Sequence, residues 1–273
     1  MTSEQHPEPP PVIVAIGGSD PSGGAGIQAD IKTITVFGGY AAAVITALTA
    51  QNTLGIAGVM AIDPSFVGQQ LELVLTDLPV AAIKIGMLHN AAIVREVAAV
   101  LESLAFGIPI ILDPVLISSS GTPLLDNPGI RALCQLLLPQ AALVTPNLPE
   151  ARLLTGLDIQ SVDDFGHACD HLLAGGAAAV LIKGGHLEGD TVVDYLRTGE
   201  GLEYYHRAPK LVSQSTHGTG CTLASAIATL VGEGRTLADA VSQGHSFVHQ
   251  AILEAHPMGK GIGPLNHLCQ LAR

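Results

Sequence analysis

Continuous apolar runs alternate with helix-period patterns along almost the whole chain. The runs Val12–Gly17, Ala42–Thr49, Ala82–Met87, Pro109–Asp113, Ala141–Thr145 and Ala178–Lys183 read as strands. Most are unbroken Val, Ile, Leu and Ala rather than alternating, which predicts parallel strands covered on both faces. Helical patterns lie between them, near 26–37, 64–77, 91–106, 128–138, 149–155 and 164–174. Asp63 before Pro64 and Asn127 before Pro128 each read as an N-cap followed by proline at the first helical position. After Lys183 the pattern changes. Thr191–Arg197 and Leu202–Arg207 flank Thr198-Gly199-Glu200-Gly201 as an antiparallel hairpin. Two further helices are expected at about 218–231 and 237–255, the second opening on a capping-box-like Thr236 and Asp239.

This alternation predicts an α/β fold with a mostly parallel central sheet and helices on both faces. There is no internal repeat and no linker. Residues 1–11 are polar and proline-rich and are expected to form a disordered leader, with one domain over 12–273.

Composition narrows the function classes. Of 273 residues, 48% are hydrophobic and 13% charged, with 31 glycines, which suits a large core with many tight turns. The formal net charge of −12 with no basic stretch argues against nucleic acid or an anionic membrane as partner. Phosphate, if handled, must be held by local devices. Cys134, Cys169, Cys221 and Cys269 show no metal-ligand spacing, and a reducing, cytoplasmic setting is expected. No apolar run reaches membrane-spanning length.

In open α/β sheets, ligands bind outside the carboxyl ends of the strands. Glycine and polar residues gather at those ends here: Gly17–Gly26, Ala50–Asn52, Lys84–Met87, Asp113–Val115, Thr145–Glu150 and Lys183–His186. Gly24-Ala25-Gly26-Ile27-Gln28-Ala29 fits a dinucleotide-binding pattern, but no acidic residue stands between Asp30 and Asp63 to hold a ribose. The same glycines serve a turn of positive φ, or let backbone approach a ligand closely. No P-loop motif occurs.

Thr216-His217-Gly218-Thr219-Gly220-Cys221 stands directly before a helix. Alternating glycines let successive N–H groups point at one spot, and the helix N-terminus adds more, so Gly218, Thr219 and Gly220 can cradle an anion. The bland reading is an ordinary glycine turn. Cys221 sits where a helix N-terminus lowers thiol pKa values, although a lone cysteine also serves as a small buried apolar group. Asp113 and Glu150 are candidate magnesium ligands, or else a helix cap and a lysine partner. Lys183, one of 12 basic residues, can reach ATP phosphates or stand solvated at its strand end.

Taken together, GGSDPSGGAGIQADIKT (17–33), VITALTAQNT (44–53), KIGML (84–88), LDPV (112–115), TPNLPEA (145–151), LIKGGH (181–186), THGTGCTLA (216–224) and GIGP (261–264) resemble the bacterial hydroxymethylpyrimidine/phosphomethylpyrimidine kinases of thiamin biosynthesis. The match runs from residue 12 to about 268 in order.

The resemblance implies a ribokinase-like three-layer sandwich, use of ATP and Mg²⁺, a homodimer, and two successive phosphorylations. These fall on 4-amino-5-hydroxymethyl-2-methylpyrimidine and then on its monophosphate. It further implies that Gln51, with backbone at Thr49, reads the pyrimidine edge, and that Gly18, Ala25, Asp30, Met87 and Val115 line the pocket. Gly218–Cys221 would form the anion hole with Cys221 facing the substrate hydroxyl, while Asp113, Asn147, Glu150 and Lys183 organise Mg-ATP.

Two positions depart from the family pattern: Leu116 stands for a frequent methionine and Ser119 for a frequent lysine. The nearest rival is a pyridoxal kinase of the same group, as a sole or additional activity. A dinucleotide-dependent oxidoreductase and a non-catalytic binding protein are the rivals from other classes.

Overall fold

The computed structural model describes residues 9–118 and 121–271. Of the expected leader, residues 1–8 lie outside the described residues, as does Ser119. Pro11, assigned to that leader, already belongs to the fold, because its carbonyl accepts the Tyr40 N–H at 2.9 Å.

Nine strands form one sheet: β1 (Val12–Ser19), β2 (Tyr40–Asn52), β3 (Gly55–Ala61), β4 (Val80–Ile85), β5 (Ile110–Leu112), β6 (Leu143–Val144), β7 (Ala179–Ile182), β8 (Thr191–Thr198) and β9 (Glu203–Pro209). Their order is β3-β2-β1-β4-β5-β6-β7-β8-β9. The six from β2 to β7 are mutually parallel, while β3 and the β8–β9 hairpin close the edges antiparallel. The chain turns back at β1, which lies between β2 and β4, so the carboxyl end of β1 is the topological switch point where such sheets bind ligands.

Two apolar layers sandwich the sheet. Val14, Ile16, Ile83 and Ile85 pack toward α2 (Pro64–Asp77), α3 (Ala91–Leu104), α4 (Asn127–Ala132), α5 (Leu148–Thr155) and α6 (Phe165–Ala174). The alternate residues Ile13, Ala15 and Ala82 pack toward α1 (Gly26–Val36), α7 (Thr219–Gly232) and α8 (Leu237–Leu253). Burial of alternate side chains on opposite faces explains the unbroken apolar runs. Helix α7 is buried at every residue from Thr222 to Leu230, because it lies against the sheet with α1 and α8 beside it.

Several local readings change. Strand β3 was not legible: Gly55-Ile-Ala-Gly58-Val-Met-Ala61 has two glycines and no polar alternation. Pairing with β3 carries β2 on to Asn52, with a register shift between Ala50 and Gln51. Such bulges re-aim the following side chain, and Gln51 turns into the cleft. The N-cap before Pro128 is Asp126, not Asn127, since the Asp126 carboxylate accepts the Gly129 N–H at 2.7 Å. The helix expected over 128–138 is α-helical only to Ala132, then widens to a π turn over Leu133–Leu137 and tightens over Leu138–Gln140. Pro139 lacks an N–H and cannot continue the ladder, which accounts for the break. Asp63 caps α2 as expected, accepting the Ser65 N–H at 2.9 Å.

Candidate active site

A cleft of about 810 Å³ opens along the carboxyl ends of the parallel strands. At one end stands the loop after β1. The Asp20 carboxylate organises it, accepting from Ser22 N (2.8 Å), Ser22 Oγ (2.7 Å), Gly24 N (3.2 Å) and Ala25 N (2.9 Å). His217 Nε2 adds a fifth contact at 2.8 Å. Burial opposes ionisation of Asp20, but these donors win and hold its pKa down to about 2.

Two glycines of the sequence motifs are steric necessities. Gly218 has φ +84°, and a Cβ there would lie 1.9 Å from the Gly24 carbonyl oxygen. A Cβ on Gly24 would lie 2.5 Å from the His217 ring. The two glycine loops therefore interlock, which fixes the start of α7 against the end of β1.

Gly218 is the N-cap of α7, so Thr219, Gly220 and Cys221 form its first turn. Thr219 N–H is taken by Thr216 O at 3.3 Å. Gly220 and Cys221 have no acceptor within the helix, as first-turn residues never do. Lys183 Nζ lies at this turn, 3.1 Å from where a Cβ of Gly220 would stand. Lys183 also donates to Asp113 Oδ1 at 2.8 Å, and Thr145 Oγ1 donates to the same oxygen at 3.0 Å. Burial would lower the Lys183 pKa, but Asp113 and Glu150 raise it, so the ammonium is kept. Asp113 lies below the usual carboxylate range: burial opposes this, and Lys183 and Lys84 outweigh it.

Glu150 and Asn147 cap α5 reciprocally. Asn147 Oδ1 accepts the Glu150 N–H at 3.0 Å, and Glu150 Oε2 accepts the Asn147 N–H at 2.8 Å. Both also line the cleft. Burial raises the Glu150 pKa to about 7, with Lys183 opposing and Asp113 adding.

Two sequence expectations are corrected. Asp30 does not line the cleft. It is fully buried beneath it, binding Lys84 Nζ through both oxygens at 2.8 and 2.9 Å and accepting from Ser225 Oγ at 2.8 Å. Nor does the helix terminus lower the Cys221 pKa: burial raises it to about 11, with Lys84 opposing. The other expected pocket residues, Gly18, Ala25, Thr49, Gln51, Met87 and Val115, all line the cleft. The departure Leu116 is buried in the core, so its substitution for methionine is absorbed by packing.

Sequence reading gave Lys84 no role. A lysine inside the apolar run Ala81-Ala82-Ile83-Lys84-Ile85 is a usable signal, because a lysine is almost never fully buried without a partner. Lys84 lies on the side of β4 that faces α1, and its Nζ touches the position a Gly86 Cβ would take, at 2.8 Å.

The far end of the cleft was also missed. Asp194 on β8 accepts the Gly184 N–H at 2.6 Å. Its second oxygen lies 3.2 Å from His245 Nε2 without the alignment of a hydrogen bond. His245 stacks on His206, with ring centroids 4.2 Å apart. Burial lowers the His245 pKa to about 3 and raises that of Asp194 to about 6, the Gly184 N–H and Lys183 opposing the latter. The fold therefore holds a proton on Asp194 more tightly than the unfolded chain does. Stability is lost as pH rises from 3.8 through 6. Asp194→Asn keeps a carbonyl for Gly184 and removes this cost. Its stability advantage over the unaltered chain is expected to grow with pH, reaching about 3 kcal/mol above pH 7. Urea unfolding at pH 4, 6 and 8 checks this, and a pH-independent difference contradicts it.

The family model described as phosphomethylpyrimidine kinase matches residues 20–266. The chain is 44% identical over 257 residues to the hydroxymethylpyrimidine/phosphomethylpyrimidine kinase of Escherichia coli K12, covering 93% of this chain and 96% of that one. It is 43% identical over 270 residues to the thiamine biosynthesis bifunctional protein ThiED of Geobacter sulfurreducens, covering 98% of this chain but 54% of that protein. The solved ADP complex of Bacillus subtilis pyridoxal kinase superposes with a TM-score of 0.88 at 30% identity, covering 97% of this chain and all of that one.

Proposed function

This chain belongs to the phosphomethylpyrimidine kinase family, and on that premise we propose that its cleft moves phosphoryl groups from ATP to 4-amino-5-hydroxymethyl-2-methylpyrimidine and then to the monophosphate so formed. It is a kinase of thiamin biosynthesis with a ribokinase-like α/β sandwich. The observation that carries the reading is the meeting of Lys183, Asp113 and the Gly218–Cys221 turn on one wall, with Gln51 further along the same cleft.

Phosphoryl transfer proceeds through a loose transition state, so catalysis is mostly positioning and neutralisation of charge. In this reading the Gly220 and Cys221 N–H groups and the Lys183 ammonium receive the equatorial oxygens of the group in flight. Val192, Ala208, Val248 and Ile252 also line the cleft, apolar side chains suited to the base of a nucleotide. An ATP donor agrees with the ADP carried by the Bacillus subtilis relative.

Magnesium fits the donor set. Among the described residues, no three carboxylate, histidine or cysteine groups come together as a protein cage. Asp113 and Glu150 face one cleft, and Glu150, raised to about 7, lacks a cation strong enough to keep it fully ionised. A hard ion that takes one or two carboxylates, waters and phosphate oxygens suits that pair. Bound there, it would neutralise charge on the phosphates.

Cys221 faces the cleft as a neutral thiol at physiological pH. In a loose transition state the substrate hydroxyl loses its proton late, when the new P–O bond has made it acidic. A minor thiolate population can then take that proton. A homodimer in the cytoplasm is the setting that the family resemblance implies, and both belong to this proposal. No helix among the described residues is long and apolar enough to cross a membrane.

The second reading is phosphorylation of pyridoxal, which the Bacillus subtilis relative favours. Steady-state kinetics with each compound separates the two. The expected result is a kcat/KM for the pyrimidine at least about tenfold above that for pyridoxal, since a buried amide left without its partner carries that penalty. The reverse order overturns the choice of substrate and leaves the phosphoryl chemistry standing.

A further inference from the structure

The Gln51 amide spans two fixed groups. The amide atom placed as Nε2 lies 3.2 Å from His217 Nε2 and the one placed as Oε1 lies 3.2 Å from Thr49 Oγ1, and the hydrogen positions of those partners call for the two atoms to be exchanged. Amide oxygen and nitrogen are told apart by the partners they meet, and here both partners decide.

Asp20 is surrounded by donors. Three backbone N–H groups and the Ser22 hydroxyl converge on its two oxygens, so toward His217 it can only accept. His217 Nε2, 2.8 Å away, must therefore carry a hydrogen. A ring nitrogen bearing hydrogen has no lone pair left, so the amide end beside it must be the carbonyl oxygen. That single hydrogen is shared between Asp20 and the amide, the nearer partner taking the larger part.

The Thr49 side leads to the same orientation independently. Its hydroxyl has one hydrogen, and the Ser19 carbonyl at 3.0 Å is a nearer acceptor for it than the Gln51 amide at 3.2 Å. Toward Gln51 it can only accept, so the amide NH₂ must lie there.

We infer that Asp20 and His217 are positioning residues that fix the polarity of the Gln51 amide, so that its free edge offers an acceptor on the His217 side and a donor on the Thr49 side. An aminopyrimidine presents an exocyclic N–H beside a ring nitrogen lone pair, the complement of that edge. A pyridine with a ring hydroxyl does not offer the same adjacent pair. The hydroxymethyl arm must also reach the Gly218–Cys221 turn, so the ring cannot turn over to suit a reversed amide. This inference rests on the pyrimidine reading above and adds what enforces it. The His217 ring packs over Gly24, whose missing side chain makes its place, and the His217 backbone is anchored by its main-chain N–H, which donates to Gly263 O at 3.0 Å.

Two measurements test it. Nitrogen-15 NMR of the ligand-free, unaltered protein is expected to show hydrogen on His217 Nε2 at neutral pH; an unprotonated Nε2 overturns the inference. In kinetics, His217→Phe keeps a ring against Gly24 but cannot hold the amide. The pyrimidine KM is expected to rise about tenfold, with kcat within about threefold and preference over pyridoxal falling in proportion to kcat/KM. Unchanged preference, or a fall in kcat at constant KM, overturns it. If the unaltered chain phosphorylates pyridoxal and not the pyrimidine, the reading of function fails, while the NMR result still decides the orientation of the amide.

Discussion

Lys183→Met is expected to lower kcat by about 1000-fold, the range found when a charge that stabilises a transition state is removed. The ammonium stands at the first turn of α7 and is bound to Asp113. Methionine keeps much of the aliphatic stem, so the packing loss is small. What goes is a positive charge that opposes two carboxylates and the developing charge on the phosphoryl oxygens. Asp113 then keeps Thr145 Oγ1 and the more distant Lys84. Its pKa is expected to rise, and stability to fall by about 3 kcal/mol, as happens when one partner of a buried pair is removed. Rate and unfolding midpoint are measured on the same preparation. A folded variant that retains more than a tenth of the wild-type kcat would remove Lys183 from the chemistry.

Cys221→Ala is the second large effect, expected at about 100-fold in kcat with folding retained, near the lower end for loss of a general base. The direction of its pKa adds a sharper signature. Burial holds the thiol at about 11, so at pH 7 the thiolate is scarce and grows tenfold with each pH unit. If the thiolate accepts the substrate proton, wild-type kcat rises between pH 7 and 9 while the alanine variant stays flat over the same interval. Parallel profiles would assign Cys221 a packing role at the mouth of the helix. Cys221→Ser distinguishes shape from acidity, because a hydroxyl fits the space and ionises far less readily.

Much of this was legible in the sequence. The apolar runs gave the parallel strands because side chains on both faces of β1 and β4 are buried. Glycines and polar residues at strand ends located the cleft, since the fold brings those ends to one rim. The motif around Gly218–Cys221 read as a helix-start anion site, and α7 begins there.

What escaped depended on tertiary partners. Strand β3 has little strand character of its own and exists through pairing with β2. The resemblance put Asp30 in the pocket wall, but the residue that reaches the cleft floor is its partner Lys84, which is 54 positions away. The Cys221 pKa followed burial over the helix terminus, because desolvation of a thiolate outweighs the pull of free N–H groups. The Asp194, His206 and His245 group comes from a hairpin and a helix that the sequence pattern does not join.

The central claim is that one cleft adds two phosphoryl groups in succession to the same pyrimidine. Its most direct test is phosphorus-31 NMR of a reaction containing the purified chain, magnesium, excess ATP and hydroxymethylpyrimidine. The account predicts a monophosphate ester signal that appears first and is then replaced by the coupled pair of a diphosphate ester. Two equivalents of ADP should accumulate for each pyrimidine. A reaction that ends at the monophosphate would contradict the second transfer, and no ester at all, with pyridoxal phosphorylated in its place, would contradict the substrate.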